Sequence, residues 1–202
     1  MNKEFKQMEK YAEEKNIPIM QKSGINFLTK YIEENNIKNI LEIGTAIGYS
    51  AIKMASVNDK IKVTTIEKDN ERYLTALKNI KEFDLDKRIT LISGDALDIE
   101  LEGKFDLIFI DAAKGQYIKF FEKFEHYLNP GGVIITDNLK FHGLVNNKEK
   151  IESRNVRGLV NKIEKYIEFL KGNDEYVTRF YDIGDGLSVS FKKNDENVKN
   201  ID

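Results

Sequence analysis

The feature that most constrains how this chain folds is an alternation. From Asn39 onward, short apolar runs each end in a polar or glycine residue and are each followed by a helical stretch. Strands separated by helices pair in parallel, so the alternation predicts an open α/β sheet with helices on both faces. The runs read as strands over Asn39–Ile43, Lys62–Glu67, Ile89–Ser93, Asp106–Ile110 and Val133–Thr136. Gln116–Leu128 reads as a helix with Tyr117, Phe120, Phe121, Phe124 and Leu128 on one face, a core-facing stripe, and Asn129-Pro-Gly-Gly is expected to end it. A last helix near Ile151–Leu170 is expected to bury Val156, Leu159, Val160, Ile163, Ile167 and Leu170. Tyr176–Tyr181 and Leu187–Phe191 flank the turn Ile183-Gly-Asp-Gly-Leu187 and predict an antiparallel edge hairpin, which makes the sheet seven-stranded.

Ahead of this core, Phe5, Met8 and Ala12, then Ile25, Leu28 and Ile32, recur at helical spacing and predict two helices over residues 1–34, with Pro18 holding Ile17–Met20 extended between them. With 202 residues, 41% of them hydrophobic, one domain over residues 1–191 is expected, and the polar, charged stretch 192–202 reads as a disordered tail. No run of eighteen apolar residues occurs, and the first residues lack the apolar core of a signal peptide, so a cytoplasmic protein without a membrane span is expected. The absence of cysteine excludes disulfides, thiolate zinc sites and cysteine nucleophiles. A net charge of −2 means that any nucleic-acid contact must come from a local basic patch.

Glu42-Ile-Gly44-Thr-Ala-Ile-Gly48-Tyr-Ser50 lies where the first strand turns into the first helix of the sheet, the place where an open α/β sheet admits a nucleotide-like ligand. The spacing G-x-x-x-G, with Ala46 between, departs from the dinucleotide fingerprint G-x-G-x-x-G. A tight turn without a ligand is the competing reading. Glu67 ends the second strand 23 residues after Gly44, where a carboxylate can accept hydrogen bonds from both ribose hydroxyls. Ser93-Gly-Asp95-Ala96 ends the third, where a carboxylate can take an adenine amine. An acidic strand end is elsewhere often a solvated cap, but here that reading has to be invoked at three successive strand ends, each placed where it could contact an adenosyl group. The lining Glu42, Glu67, Asp95 and Asp111 suits a sulfonium-bearing ligand better than a pyrophosphate.

Asp111 follows the fourth strand and Asp137-Asn138 the fifth. Adjacent strands lie ~4.8 Å apart, so residues just past two neighbouring carboxyl ends can converge on one ion. Two carboxylates and an amide oxygen form a hard donor set for magnesium, manganese or calcium. A cation chelated by two adjacent oxygens of a substrate would lower the acceptor hydroxyl's pKa and fix it for methyl transfer. Lys114, three residues past Asp111, is a candidate general base if burial and the cation lower its pKa; a solvated surface lysine is the alternative.

At Leu41–Ser50, Phe109-Ile-Asp-Ala-Ala-Lys114 and Thr136-Asp-Asn138 the chain resembles the cation-dependent class I O-methyltransferases of the catechol and caffeoyl-coenzyme A type, a likeness running from about Ile17 to Phe191. The resemblance implies a Rossmann-like methyltransferase fold, S-adenosylmethionine as cofactor, a divalent cation with Mg2+ favoured, and a homodimer. It implies cofactor contacts from Met20, Glu42, Gly44, Thr45, Gly48, Ser50, Glu67, Asp95, Ala96 and Asp111, metal ligation by Asp111, Asp137 and Asn138, and catalytic roles for Lys114 and Asp111. Within the family, Ile17-Pro-Ile-Met20, Asp111–Tyr117 and Gly184-Asp-Gly-Leu187 are most similar to the bacterial tRNA 5-hydroxyuridine methyltransferases, which implies the tRNA anticodon wobble base as acceptor. A small catechol-like or hydroxycinnamoyl-coenzyme A acceptor is the other reading. From Lys140 to Lys165 there are seven Lys or Arg against three Glu, and Lys140, Lys148, Lys150, Arg154 and Arg157 are candidates for anticodon-loop phosphates. Phe141, His142 and Tyr117 are candidates for stacking on a base, against packing or a surface position, and His142 has no catalytic assignment. A nicotinamide-dependent oxidoreductase and a catalytically silent scaffold are the readings from other classes; the broken glycine fingerprint disfavours the first, the Asp111, Lys114, Asp137, Asn138 set the second.

Overall fold

In the computed structural model, residues 2–141, 143–146, 149, 151 and 153–193 are described. Two helices, α1 (Asn2–Glu14) and α2 (Lys22–Glu34), precede the sheet. The chain then runs β1 (Asn39–Ile43), α3 (Tyr49–Ala55), β2 (Lys62–Glu67), α4 (Asn70–Glu82), β3 (Ile89–Ser93) and β4 (Phe105–Ile110). It continues with α5 (Tyr117–Phe124), β5 (Leu128–Thr136), α6 (Arg154–Lys171), β6 (Tyr176–Tyr181) and β7 (Leu187–Lys192). Among the described residues the strands form one seven-stranded sheet in the order β3-β2-β1-β4-β5-β7-β6. The first five strands are parallel, and β7 runs antiparallel between β5 and the edge strand β6. This is the expected mostly parallel Rossmann-like sheet with a C-terminal antiparallel hairpin.

The central strands are apolar on both faces because both faces are covered. Ile40, Leu107, Phe109, Val133 and Ile135 pack with α1, α2 and α3, and the intervening Leu41, Ile108, Ile110 and Ile134 pack with α5 and α6. The stripe Phe5, Met8, Ala12 on α1 and Ile25, Leu28, Ile32 on α2 is buried in the first of these cores, so the N-terminal helices are part of the domain's packing. On α6, Val160, Ile163 and Leu170 are buried as expected while Val156, Leu159 and Ile167 are half-buried; Tyr166, absent from the expected set, is fully buried with its hydroxyl 2.7 Å from that of Thr136.

Three expectations need correction. β3 is not followed by a helix: residues 94–104 are irregular, and Leu97, Ile99 and Leu101 pack on the α5/α6 face while Asp98, Glu100 and Glu102 alternate with them. That period of two is incompatible with one helical face. The helix read as Gln116–Leu128 is α5 flanked by short 3-10 turns at Lys114–Gln116 and Glu125–Tyr127. Asn129-Pro-Gly-Gly does not end it but lies inside β5, where Leu128 pairs with Phe105 and the register shifts before Leu107 pairs with Val133. A bulge there tolerates proline and glycine. Lys192, placed in the tail by the sequence reading, closes β7 opposite Tyr176; residues 194–202, like His142, Lys148 and Lys150, lie outside the described residues.

Candidate functional site

The loop after β1 meets the end of β4 at a contact only glycine allows. Gly44 has φ +99°, and a Cβ on it would stand 2.2 Å from the carbonyl oxygen of Asp111. Asp111 N donates to Ile43 O at 3.0 Å, which holds the two strand ends at the same height. One turn later Ala46 adopts φ 46°, the left-handed region that a glycine would enter without strain. Its N–H donates to Glu67 Oε2 at 2.7 Å, while Asp69 N donates to Glu67 Oε1 at 2.9 Å. Both oxygens of Glu67 are thereby fixed, and each keeps a further lone pair for a hydroxyl donor. Gly48, φ +87°, begins α3.

Below this loop the Glu42 carboxyl is fully buried and accepts from Ser50 Oγ and Thr65 Oγ1 at 2.5 Å each, and Thr65 Oγ1 lies 2.5 Å from Thr45 Oγ1. Burial pushes the Glu42 carboxyl up to about 7, against the two hydroxyl donors that pull it down and aided by the Asp111 and Glu67 charges.

A cavity of about 300 Å³ opens over these strand ends. Of the expected cofactor residues, Met20, Gly44, Thr45, Ser50, Glu67, Asp95, Ala96 and Asp111 line it; Glu42 lies beneath and Gly48 behind, and neither reaches it. Lys114 and Asn138 line its acceptor end. The wall also includes residues to which sequence reasoning gave no site role: Pro18 and Ile19 beside Met20, Tyr49 beside Ser50, Lys68 and Arg72 after Glu67, and Gln116. Adjacency to residues already chosen was the available signal. Phe120, expected only in the core, also forms wall.

At the carboxyl ends of β4 and β5, Asn138 Nδ2 donates to Asp111 Oδ1 at 2.7 Å, so a side chain past each strand meets its neighbour. Asp137 is 4% exposed, and its Oδ1 accepts from Asn138 N at 2.7 Å. Asn138 itself has φ 67°, which turns its amide back over the sheet. Burial pushes Asp137 up to about 7, reinforced by the Asp111 and Asp185 charges. Asp111 is raised too, chiefly by burial, with Lys114 and the Asn138 amide opposing. Lys114 is half-buried, its Nζ 5.9 Å from the centroid of the Phe141 ring. Asp185 was quoted within a motif but given no role, yet it is 5% exposed and its charge acts on both aspartates. The backbone places it: Lys140 N donates to Asp185 O at 2.7 Å and Leu139 N to Gly186 O at 3.0 Å, clamping the β6–β7 turn to the loop after β5. Among the described residues no three His, Asp or Glu side chains form a ready metal cluster. The convergent set is two carboxylates and an amide, and turning the amide by 180° about its last torsion exchanges Nδ2 for Oδ1 and makes the set all-oxygen.

The remaining candidates are dispersed. Tyr117 is 1% exposed and donates its hydroxyl to Asp137 O at 3.0 Å, so it supports the site from below and presents no face to a base. Lys140 is paired with Asp182, and Arg157 Nη2 donates to Ile151 O at 2.7 Å, while Arg154 is exposed.

Because Glu42 titrates higher folded than unfolded, its contribution to stability is full below about 4.5 and is lost as pH rises through 7. Glu42→Gln keeps the hydroxyl partners and removes that loss. Thermal or urea unfolding at pH 5.5 and 8 should show the wild type losing roughly 2 kcal/mol relative to the variant across this interval. Parallel pH profiles for the two proteins would reject the buried-acid assignment.

Residues 2–193 match the family described as O-methyltransferase. Tapetum-specific methyltransferase 1 of Arabidopsis thaliana is 30% identical over 183 residues, covering 87% of this chain and 77% of that protein. A Staphylococcus aureus crystal structure, provisionally assigned as a caffeoyl-CoA O-methyltransferase, is similar at a TM-score of 0.89 and 40% identity, covering 93% of this chain and 91% of that one. An O-methyltransferase from Bacillus cereus, solved in complex with SAH, gives a TM-score of 0.79 at 28% identity over 95% of this chain and 91% of that one. With the match spanning nearly the whole chain and the fold shared, this protein belongs to the O-methyltransferase family.

Proposed function

We propose that the protein is an S-adenosylmethionine-dependent O-methyltransferase that acts on a hydroxyl held by a divalent cation, Mg2+ in the first place, with Mn2+ and Ca2+ as the alternatives. The observation that carries this reading is the 2.7 Å bond between Asn138 and Asp111 at the acceptor end of a cavity whose other end is walled by Glu67 and Asp95. The Bacillus cereus relative holds SAH, the demethylated cofactor, which supports the same ligand here.

The residues fit both groups. Glu67, its oxygens already oriented by two backbone amides, offers acceptors to two ribose hydroxyls, and Asp95 offers one to an exocyclic amine. Asp111, Asp137 and Asn138 would hold the cation: Asp111 and Asp137 are carboxylates whose charged forms are disfavoured by burial and mutual repulsion, an imbalance that a bound dication offsets. When bound, the cofactor supplies an electrophilic methyl and the cation lowers the acceptor hydroxyl's pKa. Lys114 stands beside Asp111 at this end of the cavity, where its Nζ would take the hydroxyl proton when neutral or, when charged, would hold the resulting oxyanion. Asp185 adds negative charge behind the metal set.

For the acceptor, we propose 5-hydroxyuridine at the wobble position of a tRNA anticodon, converted to 5-methoxyuridine in the cytoplasm by a homodimer. The resemblance of three segments to tRNA-modifying members of the family supports it, and these segments supply Met20, Asp111, Lys114 and Asp185 to the site region. The 5-hydroxyl and 4-carbonyl of that base also present a cation with two adjacent oxygens, as a catechol does. Of the basic candidates, Arg154 and Arg157 are exposed on α6 as contacts for phosphate. The second reading, a small catechol-like or hydroxycinnamoyl-coenzyme A acceptor, is favoured by the similarity to the Staphylococcus aureus structure.

Asp137→Ala should abolish cation-dependent turnover, by at least ~100-fold, while calorimetric cofactor affinity stays within about threefold of wild type. Wild-type turnover in the variant after chelator treatment would count against the metal role. Labelled S-adenosylmethionine offered with Mg2+ to undermodified tRNA and, separately, to catechols should deliver label to tRNA; label in catechols alone replaces the first acceptor with the second.

A further inference from the structure

The cofactor end of the cavity has a wall one residue thick. Ile19, Met20 and Tyr49 face the cavity on one side and, on the other, a surface recess bordered by α1 and Lys22. Tyr49 is 3% exposed, and across a sequence separation of 40 residues its hydroxyl donates to Glu9 Oε1 on α1 at 2.8 Å. The other carboxylate oxygen, Glu9 Oε2, lies 3.4 Å from Lys22 Nζ, just past the Ile19–Met20 segment. Beside this pair, the Phe5 ring of α1 meets Tyr49 edge-on at 6.0 Å between centroids, and Lys53 Nζ sits 3.6 Å above Phe5. One partly buried carboxylate thus ties the first helix to a cavity-wall tyrosine and, through an exposed pair, to Lys22, two residues past the Pro18–Met20 wall.

We infer that Glu9 is a positioning residue for the cofactor site, holding Tyr49 in the cavity wall so that α1 governs how tightly the cofactor is retained. Glu9 touches no ligand itself and acts through Tyr49. A charge-assisted hydrogen bond to a phenol is directional, and without it the ring is held only by packing, which leaves its hydroxyl buried without an acceptor. The Lys22 pair is mostly exposed, with Lys22 at 80% side-chain exposure, so it adds little.

The inference rests on the cofactor reading given above, and calorimetric titration of S-adenosylhomocysteine separates the two. Wild type, Glu9→Ala and Glu9→Gln are titrated, with melting temperatures recorded beside them. Glu9→Ala should bind roughly tenfold more weakly, in step with loss of one charge-assisted hydrogen bond. Glu9→Gln, whose amide oxygen still accepts from Tyr49, should stay within about twofold of wild type. In turnover, Glu9→Ala should raise KM for the methyl donor and leave kcat in place. A lowered melting temperature with unchanged affinity would mark a purely structural contact and overturn the inference, as would equal weakening in both variants. A wild type that does not bind would instead overturn the cofactor reading on which it stands.

Discussion

The site depends on the closeness of two strand ends. Gly44 leaves β1 with its α-carbon pressed against the Asp111 carbonyl, at a separation that any side chain would obstruct by more than an ångström. The contact joins the loop after β1 to the first candidate metal carboxylate. Because β1 is the neighbour of β4, and β4 of β5, the same parallel register carries Asp137 and Asn138 to the other side of Asp111. Cavity, carboxylates and lysine therefore follow from strand order, and none of them needs a mobile loop to be brought together.

Charge is handled in two different ways at these strand ends. Among the described residues Glu42 has no basic partner and is satisfied by hydroxyls, so burial favours its protonated form and it serves the architecture of the loop. Asp111 and Asp137 are close to one another, have one lysine, the side-chain amide of Asn138 and its backbone N–H for company, and are joined by the Asp185 charge. The first arrangement is complete as it stands, whereas the second is short of positive charge. That difference separates a structural acid from carboxylates suited to an ion.

Much of this was legible in the residues. The strand positions followed from apolar runs bounded by polar residues, and β1, β2, β3 and β6 have the bounds expected. The convergence of Asp111 with Asn138 followed from their place after two strands taken to be adjacent. What the sequence concealed was long-range or local in ways that periodicity does not report. Asn129-Pro-Gly-Gly has the composition of a helix stop, but pairing of Leu128 with Phe105 draws it into β5. Glu42 looks like a ligand contact because it stands in the right motif; only its bonds to Ser50 and Thr65 put it under the cavity. Asp185 stood inside a quoted motif, yet its link to the metal region comes from backbone bonds to Leu139 and Lys140, some 45 residues earlier. Glu9 had no signal, since the amphipathic pattern of α1 explains its apolar face and says nothing of one carboxylate beside it.

The account stands or falls on whether those oxygen atoms hold an ion. Electron paramagnetic resonance of Mn2+ titrated into the wild-type protein and into Asp111→Asn measures this without turnover or acceptor. One saturable Mn2+ site per chain in the wild type, lost or strongly weakened in Asp111→Asn, is the predicted result. No saturable binding in the wild type, or binding untouched by the substitution, would contradict it.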